Sequence, residues 1–179
     1  MNESGLIRPA TRPTLPIRLA PIGIDHWADV RYLHARAFER LAAPFLDPRE
    51  IELFKIRVAS PEYTDELMRE NLYGAWIDTE LTGTAGWRAT DDTGQSARIT
   101  SVYVNPTFGR LGIGAQLLAD AEARAEQAGF QSFSLRATPN AVGFFEAQGY
   151  HVSSHGISHI VSTTDLPITF MRKLAPNSG

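Results

Sequence analysis

The chain of 179 residues contains no cysteine. Disulfide bonds are therefore excluded, and so is a reaction in which a cysteine of this chain carries an acyl group. No apolar run approaches the ~20 residues that span a bilayer, and the segment Met1 to Pro16 lacks the apolar core of a secretory signal. A net charge of −3 and a pI near 5.9 argue against bulk attraction to nucleic acid or to membranes. A cytoplasmic protein is the default expectation.

Hydrophobic residues make up 43% of the chain and charged residues 21%, which is ordinary for a globular protein. The length fits a single domain that can bury most of its apolar surface. We expect an extended N-terminal arm over residues 1–15 and one domain over residues 16–174.

Hydrophobic periodicity, caps and turn residues predict an α/β (α+β) arrangement, with helices on both faces of a mixed sheet. An aspartate-rich turn is expected at residues 91–94. The predicted strands are 17–19, 73–78, 83–89, 97–104, 130–137, 150–157 and 168–173, and the predicted helices are 25–41, 48–58, 61–71, 116–128 and 139–148.

The most informative segment joins the β-branched strand Ile99 to Val104 to the helix predicted from Gln116. The backbone N–H groups that begin such a helix have no intrahelical partner, and the positive end of the helix dipole lies behind them. Gly112 and Gly114 let a ligand approach the backbone, and Arg110 adds a positive charge. This segment therefore predicts a cradle for a phosphate or pyrophosphate.

Two familiar phosphate-binding motifs fit the segment poorly. A P-loop would end in Gly-Lys-Ser/Thr, which is missing after Gly114. A dinucleotide fingerprint would place a third glycine where Leu117 stands. Arg136 could mimic an arginine that selects NADP, but roughly 100 residues precede the loop, whereas a dinucleotide-binding unit normally opens its domain.

A third interpretation covers more of the chain. The motif Val104-x-Pro106, followed by Arg110-x-Gly112-x-Gly114 and later by Phe144-Phe145-Glu146 with Gly149-Tyr150, resembles the GCN5-related N-acetyltransferase (GNAT) superfamily. The resemblance spans about residues 72–174. It implies a mixed, mostly antiparallel central sheet with a splay between its two central strands, and acetyl-CoA as the co-substrate.

The resemblance also implies which residues contact the coenzyme. The strand before the cradle would bind pantetheine and the acetyl carbonyl through its backbone, and the loop would hold the pyrophosphate. An asparagine and the later Phe-Phe-Glu segment would add contacts near the thiol end. The implied cofactor-binding residues are Val102, Tyr103, Val104, Arg110, Leu111, Gly112, Ile113, Gly114, Ala115, Asn140 and Phe145.

The chain departs from the family pattern where catalysis is concerned. Phe145 stands where the family often has a tyrosine acting as general acid, and Ile99-Thr100-Ser101 offers no glutamate to act as base. The catalytic residues therefore stay unknown, and a water chain could serve as the base. Six side chains are also possible bases, although each is expected to be a surface or helix-cap residue: Glu39, Asp47, His26, His34, His155 and His159.

The expected function is direct transfer of acetyl from acetyl-CoA to an amine in a ternary complex, and the alternative is a non-catalytic acyl-CoA-binding module. The acceptor would be a small-molecule or peptide amine, bound between residues 25–70 and residues 151–167. The sequence leaves the oligomeric state open, and a homodimer is one of the alternatives. No metal is expected, because His155 and His159 have ligand-like spacing only on a helix and their segment predicts a strand.

Overall fold

A computed structural model describes residues 16–90, 95–159 and 165–176. The predicted arm (1–15), the predicted turn (91–94) and part of the predicted acceptor region (160–164) lie outside the described residues. The strands are β1 Ile17–Pro21, β2 Tyr73–Ile77, β3 Glu80–Ala89, β4 Ser96–Val104, β5 Ser132–Ala137, β6 His151–His159 and β7 Asp165–Leu174. The helices are α1 Trp27–Ala42, α2 Pro48–Val58, α3 Pro61–Met68, α4 Ile113–Gln127 and α5 Val142–Ala147.

Local signals explain three of the helix boundaries, the starts of α2 and α3 and the end of α4. Asp47 and Glu50 form a reciprocal capping box at the start of α2, where Pro48 occupies the first turn. Ser60 caps α3 more simply, since its hydroxyl oxygen accepts from the N–H of Tyr63 at 3.3 Å without a reciprocal bond. The chain leaves α4 at Gly129, whose φ of 99° is the left-handed conformation typical after a helix. Helix α4 begins at Ile113, three residues earlier than predicted.

The seven strands form one sheet in the order β1-β2-β3-β4-β5-β7-β6. Every neighbouring pair is antiparallel except β4 and β5, which are parallel. Helices α1 to α3 pack on one face and α4 on the other, so the predicted mixed, mostly antiparallel sheet with helices on both faces is confirmed. A parallel dinucleotide-binding sheet is thereby ruled out.

The splay between the central strands is visible in their register. Strands β4 and β5 pair only from Ser96 opposite Ser132 to Arg98 opposite Ser134. Beyond that point β4 continues to Val104 and β5 to Ala137 without a shared ladder. The strand edges facing this gap therefore carry backbone groups that a ligand can bind.

A β-bulge distorts β4 at the mouth of this gap. Thr84 pairs with Tyr103 and Gly86 pairs with Thr100, so one residue of β3 faces two residues of β4. Ser101, the first of these two, has a left-handed φ of 52°. The bulge therefore turns the backbone of β4 at the place where it leaves β5.

Candidate functional site

The start of α4 forms an unpartnered row of backbone donors. The first N–H with a backbone partner is that of Gln116, which donates to the carbonyl of Gly112 at 3.1 Å. No described backbone carbonyl accepts from the N–H groups of residues 110–115. These groups lie at the positive end of a four-turn helix, which makes them the predicted anion cradle.

The two glycines of the cradle serve different needs. Gly112 has a φ of 78°, and an added Cβ would meet no atom within 4 Å, so this position requires glycine for its conformation and faces open space. The φ of Gly114 is not in the left-handed region. A Cβ there would lie 3.3 Å from the ring of Phe144 and 3.4 Å from Val104, inside the groove that the cradle borders.

This groove has a volume of about 520 Å³ and runs from the cradle to the splay. Nine of the eleven predicted cofactor-binding residues line it: Val102, Val104, Arg110, Gly112, Ile113, Gly114, Ala115, Asn140 and Phe145. The other two lie elsewhere. Tyr103 lines a neighbouring cavity, and the side chain of Leu111 is exposed to solvent.

Sequence reasoning missed a second cation at the groove. Arg40, near the end of α1, lines it together with Arg110. Asn140 fixes the position of α1 there, since its Nδ2 donates to the carbonyl of Leu41 at 3.2 Å and its Oδ1 accepts from Thr138. No motif marks Arg40, because its place depends on how α1 packs over the sheet.

A second cavity, of about 290 Å³, continues the groove on the far side of the splay. The two spaces share four lining residues: Leu41, Val102, Ala141 and Phe145. The cavity also contacts Thr100, Ser101 and Tyr103 of the bulged strand. A ligand lying in the groove and a second ligand in the cavity would thus meet beside the bulge.

A buried hydrogen-bond chain holds the bulge from behind. Thr84 Oγ1 donates to the carbonyl of Ser101 at 2.7 Å, so it must accept from His34 Nε2, which lies 2.8 Å away. The Nδ1 of His34 then accepts from the hydroxyl of Tyr63 at 2.8 Å. The prediction that His34 is a surface or cap residue was wrong, because its side chain is 0% exposed between α3 and the sheet.

We expect this chain to make stability depend on pH. Burial lowers the pKa of His34 from 6.5 to about 3, so the folded protein keeps it neutral while the unfolded chain takes up a proton below pH 6.5. The free energy of unfolding should therefore lose about 1.4 kcal/mol per pH unit as pH falls from about 6 to about 3. Urea unfolding across this range measures it. His34→Gln should lack this part of the slope; an unchanged slope in that variant would contradict the assignment.

One carboxylate that sequence reasoning missed lies against the bulge. Glu70, just after α3, accepts hydrogen bonds from the hydroxyls of Thr100 and Ser101 at 2.8 and 2.7 Å, both on Oε2. Its Oε1 has no hydrogen-bond partner in the described part of the chain. Burial raises the pKa of Glu70 above its usual value, although the two hydroxyls and Arg88 act in the opposite direction. A carboxylate with a raised pKa is a stronger base than a fully solvated one, which makes Glu70 a candidate general base.

Three aromatic residues, Phe145, Tyr150 and Tyr103, differ in whether they can donate a proton at the splay. Phe145 is buried and has no polar atom, and its ring packs edge-to-face against Tyr150. The hydroxyl of Tyr150 lies in the core near Glu122, away from both the groove and the cavity. Tyr103 lines the cavity, and burial raises its pKa to about 12, so its phenol stays protonated at neutral pH.

The remaining candidate bases have other roles or positions. Glu39 pairs with Lys55 at 3.3 Å, Asp47 caps α2, and the Nδ1 of His26 accepts from the backbone of Gly23. His155 and His159 lie on β6, a strand as predicted.

Within residues 16–90, 95–159 and 165–176, no group of three or more acidic or histidine side chains is placed to hold a metal ion. In the same ranges, no helix has the length and apolar character needed to cross a membrane.

Comparison with known proteins agrees with this geometry. The profile of the acetyltransferase (GNAT) domain matches residues 42–165. The chain therefore belongs to the GNAT family of acetyltransferases and is an acyltransferase by family. A search of curated proteins finds no match.

Solved structures share the fold at low sequence identity. A GCN5-related N-acetyltransferase from Rhodopseudomonas palustris superposes with a TM-score of 0.76 at 20% identity, covering 88% of this chain and 94% of that one. PaiA N-acetyltransferase from Thermoplasma acidophilum, solved with coenzyme A, gives 0.70 at 18% identity, covering 89% and 99%. The ribosomal-protein-S18-alanine N-acetyltransferase from Escherichia coli gives 0.65 at 15% identity, covering 92% and 97%.

Proposed function

We propose that this protein transfers the acetyl group of acetyl-CoA directly to the nitrogen of an amine acceptor. The observation that carries the proposal is the row of unpartnered N–H groups over residues 110–115, which borders a groove that meets a second cavity at the β4 bulge. A diphosphate on these donors would direct the rest of the coenzyme along the groove towards the splay.

The residues around the groove suit each part of the coenzyme. The backbone N–H groups of the cradle and two cations, Arg40 and Arg110, would bind the pyrophosphate. The two amides of pantetheine would form hydrogen bonds with the unpaired edge of β4 beyond Arg98. The thioester would then lie near Val102 and Phe145, where an amide of the bulged strand can stabilise the oxyanion that forms on the carbonyl.

The proton balance favours a base over an acid. An amine with a pKa near 10 must lose a proton, at a cost of roughly 4 kcal/mol at pH 7, whereas a thiolate with a pKa near 8.5 gains only about 2 kcal/mol on protonation. The absence of a phenol at Phe145 is therefore tolerable. We propose that Glu70 receives the amine's proton on Oε1 by way of a water molecule, because its carboxylate accepts hydrogen bonds from Thr100 and Ser101, two residues that line the cavity.

We expect the transfer to be direct, because the chain has no cysteine to carry the acetyl group. Initial rates measured at varied acetyl-CoA and varied acceptor should therefore give intersecting lines in double-reciprocal plots. Parallel lines, or an acetylated form of the protein that passes its acetyl group to the acceptor, would show a covalent intermediate instead.

A thiol-release screen tests the function itself. Acetyl-CoA is incubated with the protein and a panel of amines, and free thiol is measured against a blank without acceptor. Calorimetry of acetyl-CoA binding accompanies it. Binding together with acceptor-dependent thiol release supports the proposal, whereas binding without release from any amine supports a non-catalytic acyl-CoA-binding module. The absence of binding would refute both.

A further inference from the structure

The cavity beyond the splay ends in a cluster of arginines. Arg88, Arg98 and Arg136 line it from three adjacent strands, β3, β4 and β5. Arg88 and Arg98 are directly opposite each other in the antiparallel ladder. Like charges in that position repel, and a counter-charge would remove the cost. The repulsion concerns Arg98 most, because Arg98 is half-buried whereas Arg88 and Arg136 are exposed to water.

The described part of the chain does not supply that counter-charge. None of the three arginines forms an ion pair with a described carboxylate. No acidic side chain is among the described residues that line the cavity, and the guanidinium of Arg136 lies 5.6 Å over the ring of Phe170. Arg88 lowers the pKa of Glu70 through its charge, but the two side chains do not form an ion pair.

The charges of the cluster act on one another. The pKa of Arg98 is lowered by burial and also by the neighbouring Arg136 and Arg88. The chain as a whole carries a net charge of −3, so this face is positive against the overall balance. A bound oxyanion would relieve the repulsion and could accept paired hydrogen bonds from a planar guanidinium.

We propose that the acceptor is a small amine that also carries an oxyanion, which the cluster of Arg88, Arg98 and Arg136 binds while the amine reaches the β4 bulge. This inference rests on the proposed function. Arg98 and Val102 lie four residues apart on one bulged strand, about 10–13 Å along the backbone, before the reach of the arginine side chain is subtracted. The amine and the anion can thus be separated by only a few bonds.

The acceptor's charge can be tested with matched pairs. ω-Amino carboxylates of increasing chain length are compared with the corresponding ω-amino amides, which keep the amine and lose the charge. A series of ω-amino phosphates distinguishes a carboxylate from a phosphate as the preferred oxyanion. In the thiol-release assay, kcat/KM for the anionic member should exceed that for the amide by at least about tenfold, mainly through KM. Equal or better use of the neutral amides would overturn the inference.

Variants locate the effect. Arg98→Gln should lower kcat/KM for the anionic amine by about tenfold or more and leave the amide unchanged, so that the preference disappears. Arg49→Gln is the matched control, because Arg49 is an exposed arginine on α2 that lines neither this cavity nor the surface next to the cluster. A preference that survives in Arg98→Gln, and also in the double variant Arg98→Gln/Arg136→Gln, would overturn the inference.

A binding measurement separates this inference from the proposed function. Calorimetry of the same ω-amino acids against the protein saturated with coenzyme A, which cannot transfer an acetyl group, requires no catalysis. Binding that is lost in Arg98→Gln, together with an absence of thiol release, would refute the transferase function and keep the anion site. Thiol release with neutral amines alone would support the transferase function and refute the anion site.

Discussion

Replacing Gly114 with glutamate should weaken acetyl-CoA binding by about a hundredfold or more while the fold is retained. The new side chain would enter the groove beside Val104 and Phe144 and place a negative charge next to the coenzyme's phosphates. A hundredfold loss corresponds to about 2.7 kcal/mol. Calorimetric titration with acetyl-CoA measures it.

The fold should survive this substitution for two reasons. Gly114 has no positive φ, so an L-residue fits its backbone, and the contact of an added Cβ with Phe144 is with the far end of a side chain. A glutamate in the first turn of α4 also suits the helix dipole, so the melting temperature should not fall. Gly143→Glu on α5 is the matched control, since an added Cβ there meets open space and the residue does not line the groove. Wild-type affinity in Gly114→Glu would remove the cradle from the proposed site.

Replacing Glu70 with glutamine should lower kcat at pH 7 by about a hundredfold, within the range that general bases contribute. Glutamine keeps the shape of the side chain and an oxygen that can accept from Thr100 and Ser101, but it cannot take up a proton at neutral pH. Acetyl-CoA affinity should not change. Steady-state kinetics with the best acceptor, measured from pH 6 to 10.5, provides the check.

The pH dependence of the deficit separates a base from a structural role. As pH approaches the acceptor's own pKa near 10, the amine is already neutral and needs no base, so the variant should approach the wild type. A deficit of equal size at every pH would mean that Glu70 only supports the bulge. Glu62→Gln, the same change on the exposed face of α3, is the control and should leave kcat unchanged. Full activity of Glu70→Gln at pH 7 would place the base elsewhere.

The row of free N–H groups that forms the candidate cradle could be predicted from the sequence because it is built from contiguous residues. A strand, three glycines and a helix start within about fifteen positions determine where the free N–H groups point, with no help from distant segments. The boundaries of α2 were also predictable for a local reason, since Asp47, Pro48 and Glu50 form the cap by themselves. The hairpin between β2 and β3 was placed less well: β3 starts at Glu80, because Asp78 takes a left-handed conformation in a tighter turn than predicted.

The remaining parts of the site depend on distant segments. Glu70 contacts Ser101 across 31 positions, and His34 reaches Thr84 across 50. The periodicity of α1 does place His34 on the buried face, four residues after Val30 and four before Phe38. It does not show which distant side chains become the hydrogen-bond partners of the imidazole. Arg88, Arg98 and Arg136 become neighbours only through the order of the strands.

The sequence by itself therefore determined the family, the row of free N–H groups at the start of α4 and the succession of strands and helices. These follow from residues close together in the chain, whose conformational preferences and unpaired backbone groups act locally. The tertiary structure alone decided which carboxylate lies at the bulge, which histidine is held neutral and which charges line the second cavity. Burial and charge pairing depend on what packs around a side chain, and in this protein those neighbours come from other elements of the fold.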